Sequence, residues 1–215
     1  MLTKSIGALR WLAAAAFLGS IVWQVEDRLA NNLFRPTEYF AYFSIITAEV
    51  CVVSLAVSGW FAWSGKSETK LLTIVRLVAT SCMVVVSSVY NLLLRGGAND
   101  VRDGDYAWPV MPNEIIHVWG PIFILLDWLL IQYGPKLRLR ASLWVAAYPL
   151  AWLAFSVVRG LATDWWPYWF INPNEKGGVN GMVTYIVAIT VLLIGAGFIL
   201  LLASMGTRKL IRLQN

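Results

Sequence analysis

MPNEIIHVWGPIFILLDWLLIQY, Met111–Tyr133, is an apolar run long enough for a helix to cross a bilayer, and it carries the chain's single histidine, His117. An ionisable residue at that depth is costly unless it has a partner or faces a wet cavity. Glu114 lies one turn before His117 on nearly the same helical face, and Asp127 follows further along the run. Pro121 comes one turn after His117. Its missing N–H frees the carbonyl of His117 from the usual helical bond. A histidine, a loosened backbone and a carboxylate thus share about two turns of helix. Two readings of His117 stand: a structural histidine bonded to a neighbouring helix, or a functional one facing a cavity.

The rest of the chain has the same character. Of its 215 residues 59% are hydrophobic and only 13% charged, and the mean hydropathy is +0.65. A soluble domain carries about 25% charge, so the composition specifies a polytopic membrane protein of one domain, residues 1–215. The net charge of +5 does not mark a nucleic-acid binder. In so apolar a chain, positive charge sets topology and touches anionic lipid headgroups. Cys51 and Cys82 stand apart in apolar runs and read as small core residues. No metal- or cofactor-binding pattern is present, so no cofactor is expected.

Six apolar runs can be marked, each near the 18–25 residues or so that a helix needs to cross about 30 Å. They are roughly Ile6–Val25, Thr37–Trp63, Leu71–Leu94, the histidine run, Ser142–Val158 and Gly181–Ser204. Lys4 and Arg10 ahead of AAAAFLG resemble a signal peptide, but five further runs follow, so an uncleaved first helix is expected. The N-terminus, the second and fourth loops and the C-terminus hold Lys4, Arg10, Lys66, Lys70, Lys136, Arg138, Arg140, Arg208, Lys209 and Arg212. The other three loops hold six basic residues, Arg28, Arg35, Arg95, Arg102, Arg159 and Lys176, among acidic residues such as Glu38, Asp100 and Asp103. The positive-inside rule then places both termini in the cytoplasm of a multi-pass cell-membrane protein.

With that orientation, polar residues gather in one outer-leaflet layer. Ser44 and His117 fall about 10 Å below the outer ends of the second and fourth runs, at about 1.5 Å per residue. Asn91 and Arg95 close the third run one turn apart, and Arg159 closes the fifth. Ser44, Thr47 and Cys51 follow the i, i+3, i+7 spacing of one stripe, which also suits a small-residue packing seam. Glu49 is on another face. Arg76 and Asp127 lie toward the cytoplasmic half and suit a structural ion pair. The fifth loop, Ala162–Gly178, reads ATDWWPYWFINPNEKGG. Its aromatic residues, Trp166, Tyr168 and Trp169 among them, suit either an anchor at headgroup level or a lid over an outer cavity gripping an acyl chain.

YFAYFSIITAEV (Tyr39–Val50), HVWGPIFILLDWLL (His117–Leu130), YPLAWLAFSVVRG (Tyr148–Gly160) and WWPYWFINP (Trp165–Pro173) together resemble the androgen-induced protein family, and its bacterial branch in particular. That family comprises multi-spanning membrane proteins that include hydrolases of fatty acid esters of hydroxy fatty acids. The resemblance implies a threonine nucleophile early in the second helix and a histidine in the fourth. The histidine corresponds to His117. Bacterial relatives tend to read Phe-Thr-Ile-Gln-Ser-Asn where this chain reads Phe43-Ser44-Ile45-Ile46-Thr47-Ala48. Ser44 therefore takes the threonine's place and keeps the hydroxyl, while Ala48 removes the asparagine amide.

The residues are compatible with that chemistry. A hydroxyl needs a base to become a nucleophile, and His117 is the only imidazole. Ser44 is the expected catalytic nucleophile, with Thr47 one turn deeper as the alternative. Asn91, Arg95 or Arg159 would supply donors to an oxyanion, and Glu114 would orient His117. The expected partner is a lipid or fatty-acyl substrate. The competing readings are a non-enzymatic lipid-binding or transport protein and a structural membrane protein. They are separated by whether a cavity exists and whether a hydroxyl lies in it beside His117.

Overall fold

Inside a bilayer, backbone N–H and C=O groups find no water and must bond to one another, so long apolar runs fold as helices. The computed structural model describes residues 2–97, 101–175 and 177–214. Six helices cover the expected runs: α1 (Leu2–Ala30), α2 (Phe43–Trp63), α3 (Lys70–Val89), α4 (Val110–Leu130), α5 (Leu143–Thr163) and α6 (Gly178–Gln214). Each is long and apolar enough to cross a membrane, and there is no strand among the described residues. The fold is all-α, a six-helix bundle. Asp100 and Lys176 lie outside the described residues, as do the side chains of Arg208, Lys209 and Arg212.

The loops sort into two ends. Arg35 of the first loop pairs with Asp103 of the third, and Asn31 bonds Tyr106 at 3.0 Å. The fifth loop joins them, its Trp165 ring 5.6 Å from that of Tyr42. This is the distal end, away from the termini. At the other end the second and fourth loops meet through the Glu68 N–H and the Tyr133 carbonyl, 3.3 Å apart. Helix α3 is the most buried of the six and α5 the least. Helices α1 and α2 approach closely because Gly7 and Gly59 face each other; a Cβ on Gly7 would come within 2.8 Å of the Gly59 carbonyl oxygen.

The end near the termini is fastened by four buried charges. Arg10 of α1 bonds Asp127 of α4 at 2.9 Å and Glu68 of the second loop at 2.8 Å. Arg76 of α3 bonds both oxygens of Glu68 at 2.8 Å and also pairs with Asp127. The expected Arg76–Asp127 pair is thus half of a neutral quartet. Arg10 completes it, although in the sequence it reads as a topology charge. Glu49 is exposed in the first third of α2.

Candidate functional site

His117 sits in a π-helical turn, Ile115–Trp119, that interrupts α4. The turn closes through the Gly120 N–H on the Ile115 carbonyl, five residues back. Pro121, with no N–H to give, follows at once, which removes the α-type bond to the His117 carbonyl. The imidazole is buried, and its Nδ1 lies 2.9 Å from the Asn113 carbonyl oxygen. A carbonyl only accepts, so Nδ1 carries a proton, and in the neutral ring the free lone pair is on Nε2. The ring stacks on Tyr90 with centroids 4.4 Å apart. Tyr90 itself opens a second π turn, Tyr90–Leu94, which carries on from α3 and closes through the Arg95 N–H on the Tyr90 carbonyl at 2.7 Å. Such turns occur preferentially where function needs a side chain re-aimed.

A chain of hydrogen bonds fixes Tyr90. The Asn113 amide donates to its hydroxyl at 2.8 Å, and the hydroxyl donates to Glu114 at 3.2 Å. Arg95 pairs with Glu114 at 2.8 Å and donates to Asn91 at 2.9 Å. Asn91, Arg95 and Glu114 are therefore brought together, but at the rim. Glu114 makes no bond to His117; its hydrogen bond goes to Tyr90, which stacks on the ring, while the Asn113 carbonyl orients the imidazole directly.

Ser44 arrives by a different route from the one its position in the run suggests. A single helical turn, Pro36–Tyr39, ends early, and Tyr42 is extended (φ −65°, ψ 131°), so α2 begins at Phe43 rather than near Thr37. Ser44 is thus in the first turn of α2, not two turns deep, and its main-chain N–H is one that the helix leaves unused. That N–H donates to the Tyr168 hydroxyl at 3.4 Å, and the phenol also lies within reach of the Ser44 side chain. Burial pushes the Tyr168 phenol above its ordinary value, so it stays protonated and able to donate.

Ser44, His117 and Tyr168 line one cavity. Its walls are otherwise almost wholly apolar, formed by residues such as Val86 of α3, Leu153 of α5, Ile189 of α6, and Phe170 and Ile171 of the fifth loop. No hydrogen bond joins Ser44 to His117 among the described residues. Thr47 is fully buried outside this lining, its hydroxyl 3.3 Å from that of Tyr148. Arg159 lies 4.2 Å from the centroid of the Trp165 ring and does not line the cavity. The Trp166 indole packs on Gly160, where a Cβ would come within 2.6 Å of it. Trp169 is exposed and meets Tyr185 edge-on at 5.1 Å.

Of the expected site residues, Ser44, His117 and Tyr168 therefore share the cavity. Asn91, Arg95 and Glu114 support it from outside, and Thr47, Arg159, Trp166 and Trp169 stand apart. Phe170, one of the aromatic residues of the fifth loop, lines the cavity too, whereas Tyr90, Asn113 and Ile171 were not singled out in the sequence. Tyr90 and Asn113 each lie next to a residue that was, Asn91 and Glu114. Comparison with protein-family models, with curated proteins and with solved structures finds no match to this chain.

Proposed function

We propose that this protein is a multi-pass hydrolase of lipid esters in the cell membrane, with Ser44 as nucleophile and His117 as base. The observation that carries the reading is that a hydroxyl and an imidazole with a free Nε2 lone pair line the same apolar cavity. The resemblance to the androgen-induced protein family adds weight to it, and fatty acid esters of hydroxy fatty acids are then the first substrates to test. In this scheme the His117 Nε2 takes the Ser44 proton as the oxygen attacks the ester carbonyl. The Tyr168 hydroxyl, held by the first turn of α2, supplies a donor for the oxyanion. The imidazolium returns the proton to the departing alkoxide, and water, activated by the same nitrogen, releases the fatty acid from Ser44. The charge distribution supports cytoplasmic termini, with the cavity in the outer leaflet where a lipid ester would enter sideways.

The test is turnover of a long-chain hydroxy-fatty-acid ester by purified protein in detergent. Parent, Ser44→Ala, Thr47→Ala, His117→Ala and Ser44→Ala/His117→Ala are compared. Loss of either member of a working pair costs about 10³-fold or more, and the double variant should be about as inactive as either single one. Near-parent turnover by His117→Ala overturns the mechanism; an inactive Thr47→Ala beside an active Ser44→Ala moves the nucleophile one turn along α2. A second reading is favoured by the nearly unbroken apolar lining and the missing Ser44–His117 bond: a protein that binds an acyl chain without cleaving it. Fatty-acid binding with no turnover of any ester by the parent would replace the first reading with this one.

A further inference from the structure

A second, mainly polar pocket opens at the distal end, where the last turn of α1 meets the Pro36–Tyr39 turn and the third loop. Arg28, Arg35, Glu38 and Asp103 line it together with Tyr39, Tyr42 and Trp108. Most of these charges are satisfied. Arg35 pairs with Glu38 at 3.0 Å and with Asp103, and Arg102 pairs with Glu38 at 2.8 Å. Nearby, Asp27 accepts from the Tyr106 hydroxyl at 2.8 Å.

Arg28 is the exception. The Trp108 and Tyr39 rings lie over its guanidinium carbon, with centroids 4.0 and 4.8 Å away. Its one hydrogen bond goes to the Gln24 carbonyl of its own helix at 3.1 Å, and no carboxylate pairs with it among the described residues. A guanidinium has five N–H donors, and rings over the carbon leave its edges open. A cation held this way in the wall of a pocket is suited to a planar or tetrahedral oxyanion.

A bare anion would meet Glu38 and Asp103 as well as Arg28. A ligand carrying both signs answers the whole lining: a phosphate on the Arg28 edge, and an ammonium toward the aromatic rings and the two carboxylates, which it would share with Arg35 and Arg102. The pocket lies level with the ends of the apolar spans, where such groups are found on lipids. The geometry points to a binding site for a phospholipid headgroup that carries a phosphate and an ammonium group, with Arg28 holding the phosphate. This site is separate from the Ser44–His117 cavity and does not depend on the hydrolase reading.

The test uses lipid-stripped protein in detergent and three probes: dihexanoyl phosphatidylethanolamine, dihexanoyl phosphatidylglycerol and inorganic phosphate. Affinities are read by microscale thermophoresis. The ethanolamine lipid should bind saturably and more tightly than the glycerol lipid. Arg28→Gln should weaken it about tenfold or more, and Arg140→Gln, exposed at the other end of the bundle, should leave it unchanged. Parent-like binding by Arg28→Gln overturns the proposal, and equal affinity for the two lipids removes the role of the carboxylates. Displacement of the lipid by inorganic phosphate at matched concentration would make the site one for free phosphate. If Arg28→Gln does not fold, phenylglyoxal modification of Arg28 in the parent decides. The ethanolamine lipid should slow it about tenfold if it covers the same edge, and absence of protection overturns the assignment.

Discussion

Asp127→Asn should be the most destabilising isosteric change in the bundle. Asp127 is 5% exposed and bonds both Arg10, which is fully buried, and Arg76. Converting it to an amide keeps the shape but leaves the buried quartet with a net charge of +1. Removing one partner of a buried ion pair costs about 3–5 kcal/mol. For a chain of this length, each kcal/mol moves the thermal midpoint by about 2–4 °C, so the drop should be about 6–20 °C. Arg10→Met should do comparable harm by leaving −1. The double variant Arg10→Met/Asp127→Asn leaves only the Glu68–Arg76 pair, which is neutral and bonded twice at 2.8 Å. Its loss should therefore fall short of the sum of the single losses by about 1–3 kcal/mol. Thermal unfolding in detergent, followed by loss of the monodisperse size-exclusion peak, reads all three. A drop below about 3 °C for Asp127→Asn, or strict additivity in the cycle, would refute the account of a neutral, interdependent quartet.

Three further outcomes follow from the distal half. Tyr90→Phe keeps the stack on His117 but removes the hydroxyl held by Asn113 and Glu114; ester turnover should fall about fivefold, one hydrogen bond's worth, with little change in thermal midpoint. Pro121→Ala restores an N–H that lets the π turn relax to α-helix, so the midpoint should rise while occupancy of the cavity by a spin-labelled fatty acid falls; unchanged occupancy would show that Phe17, packed against Gly120, fixes the turn instead. Burial pushes the Glu38 carboxyl up, but the Arg102 and Arg35 guanidiniums outweigh it and hold it below its ordinary value. Its contribution is thus present above the ordinary carboxylate range and lost as pH falls through the lowered value, and hydrogen exchange of the Pro36–Tyr39 turn should speed up there, as it should at neutral pH in Glu38→Gln.

The helices were legible because length and hydropathy act within one stretch of chain. The six runs, the buried stripe of Ser44, Thr47 and Cys51, and the Arg76–Asp127 pair all follow from spacing alone. The depth of Ser44 was not, because nothing in the Tyr39–Phe43 segment announces that Tyr42 turns extended; the break depends on contacts with Trp165 and Tyr168, more than 120 residues away. Arg10 and Glu68 were missed as quartet members for a related reason. A charge near the end of a run reads as a topology signal unless its partners on three other segments are known. Of the aromatic loop, the sequence shows that it is apolar but not which side chains turn inward. That choice falls to Tyr168, Phe170 and Ile171 because the Trp166 indole is seated on Gly160 instead.

The separation of polar groups between the two ends has a physical cause. Charged groups in a dry interior are tolerable only as a neutral, fully bonded set, and a set bonded that completely has no donor or acceptor to offer a ligand. The Arg10–Glu68–Arg76–Asp127 quartet comes close to such a set, neutral and with only the Arg10 Nη2 lacking a partner among the described residues, and it lies where four segments meet. A cavity that must admit an apolar chain needs the opposite: few polar groups, uncharged, each with one valence left open. Ser44, Tyr168 and a neutral His117 meet that condition. The Asn113 carbonyl accepts the hydrogen bond from Nδ1–H, and Tyr90 holds the ring by stacking. Were Glu114 bonded to His117 directly, its carboxylate would favour the imidazolium and remove the lone pair that the proposed chemistry uses. The pairing of Glu114 with Arg95 at the rim, rather than with the histidine three residues along its own helix, therefore suits the role of base proposed for His117.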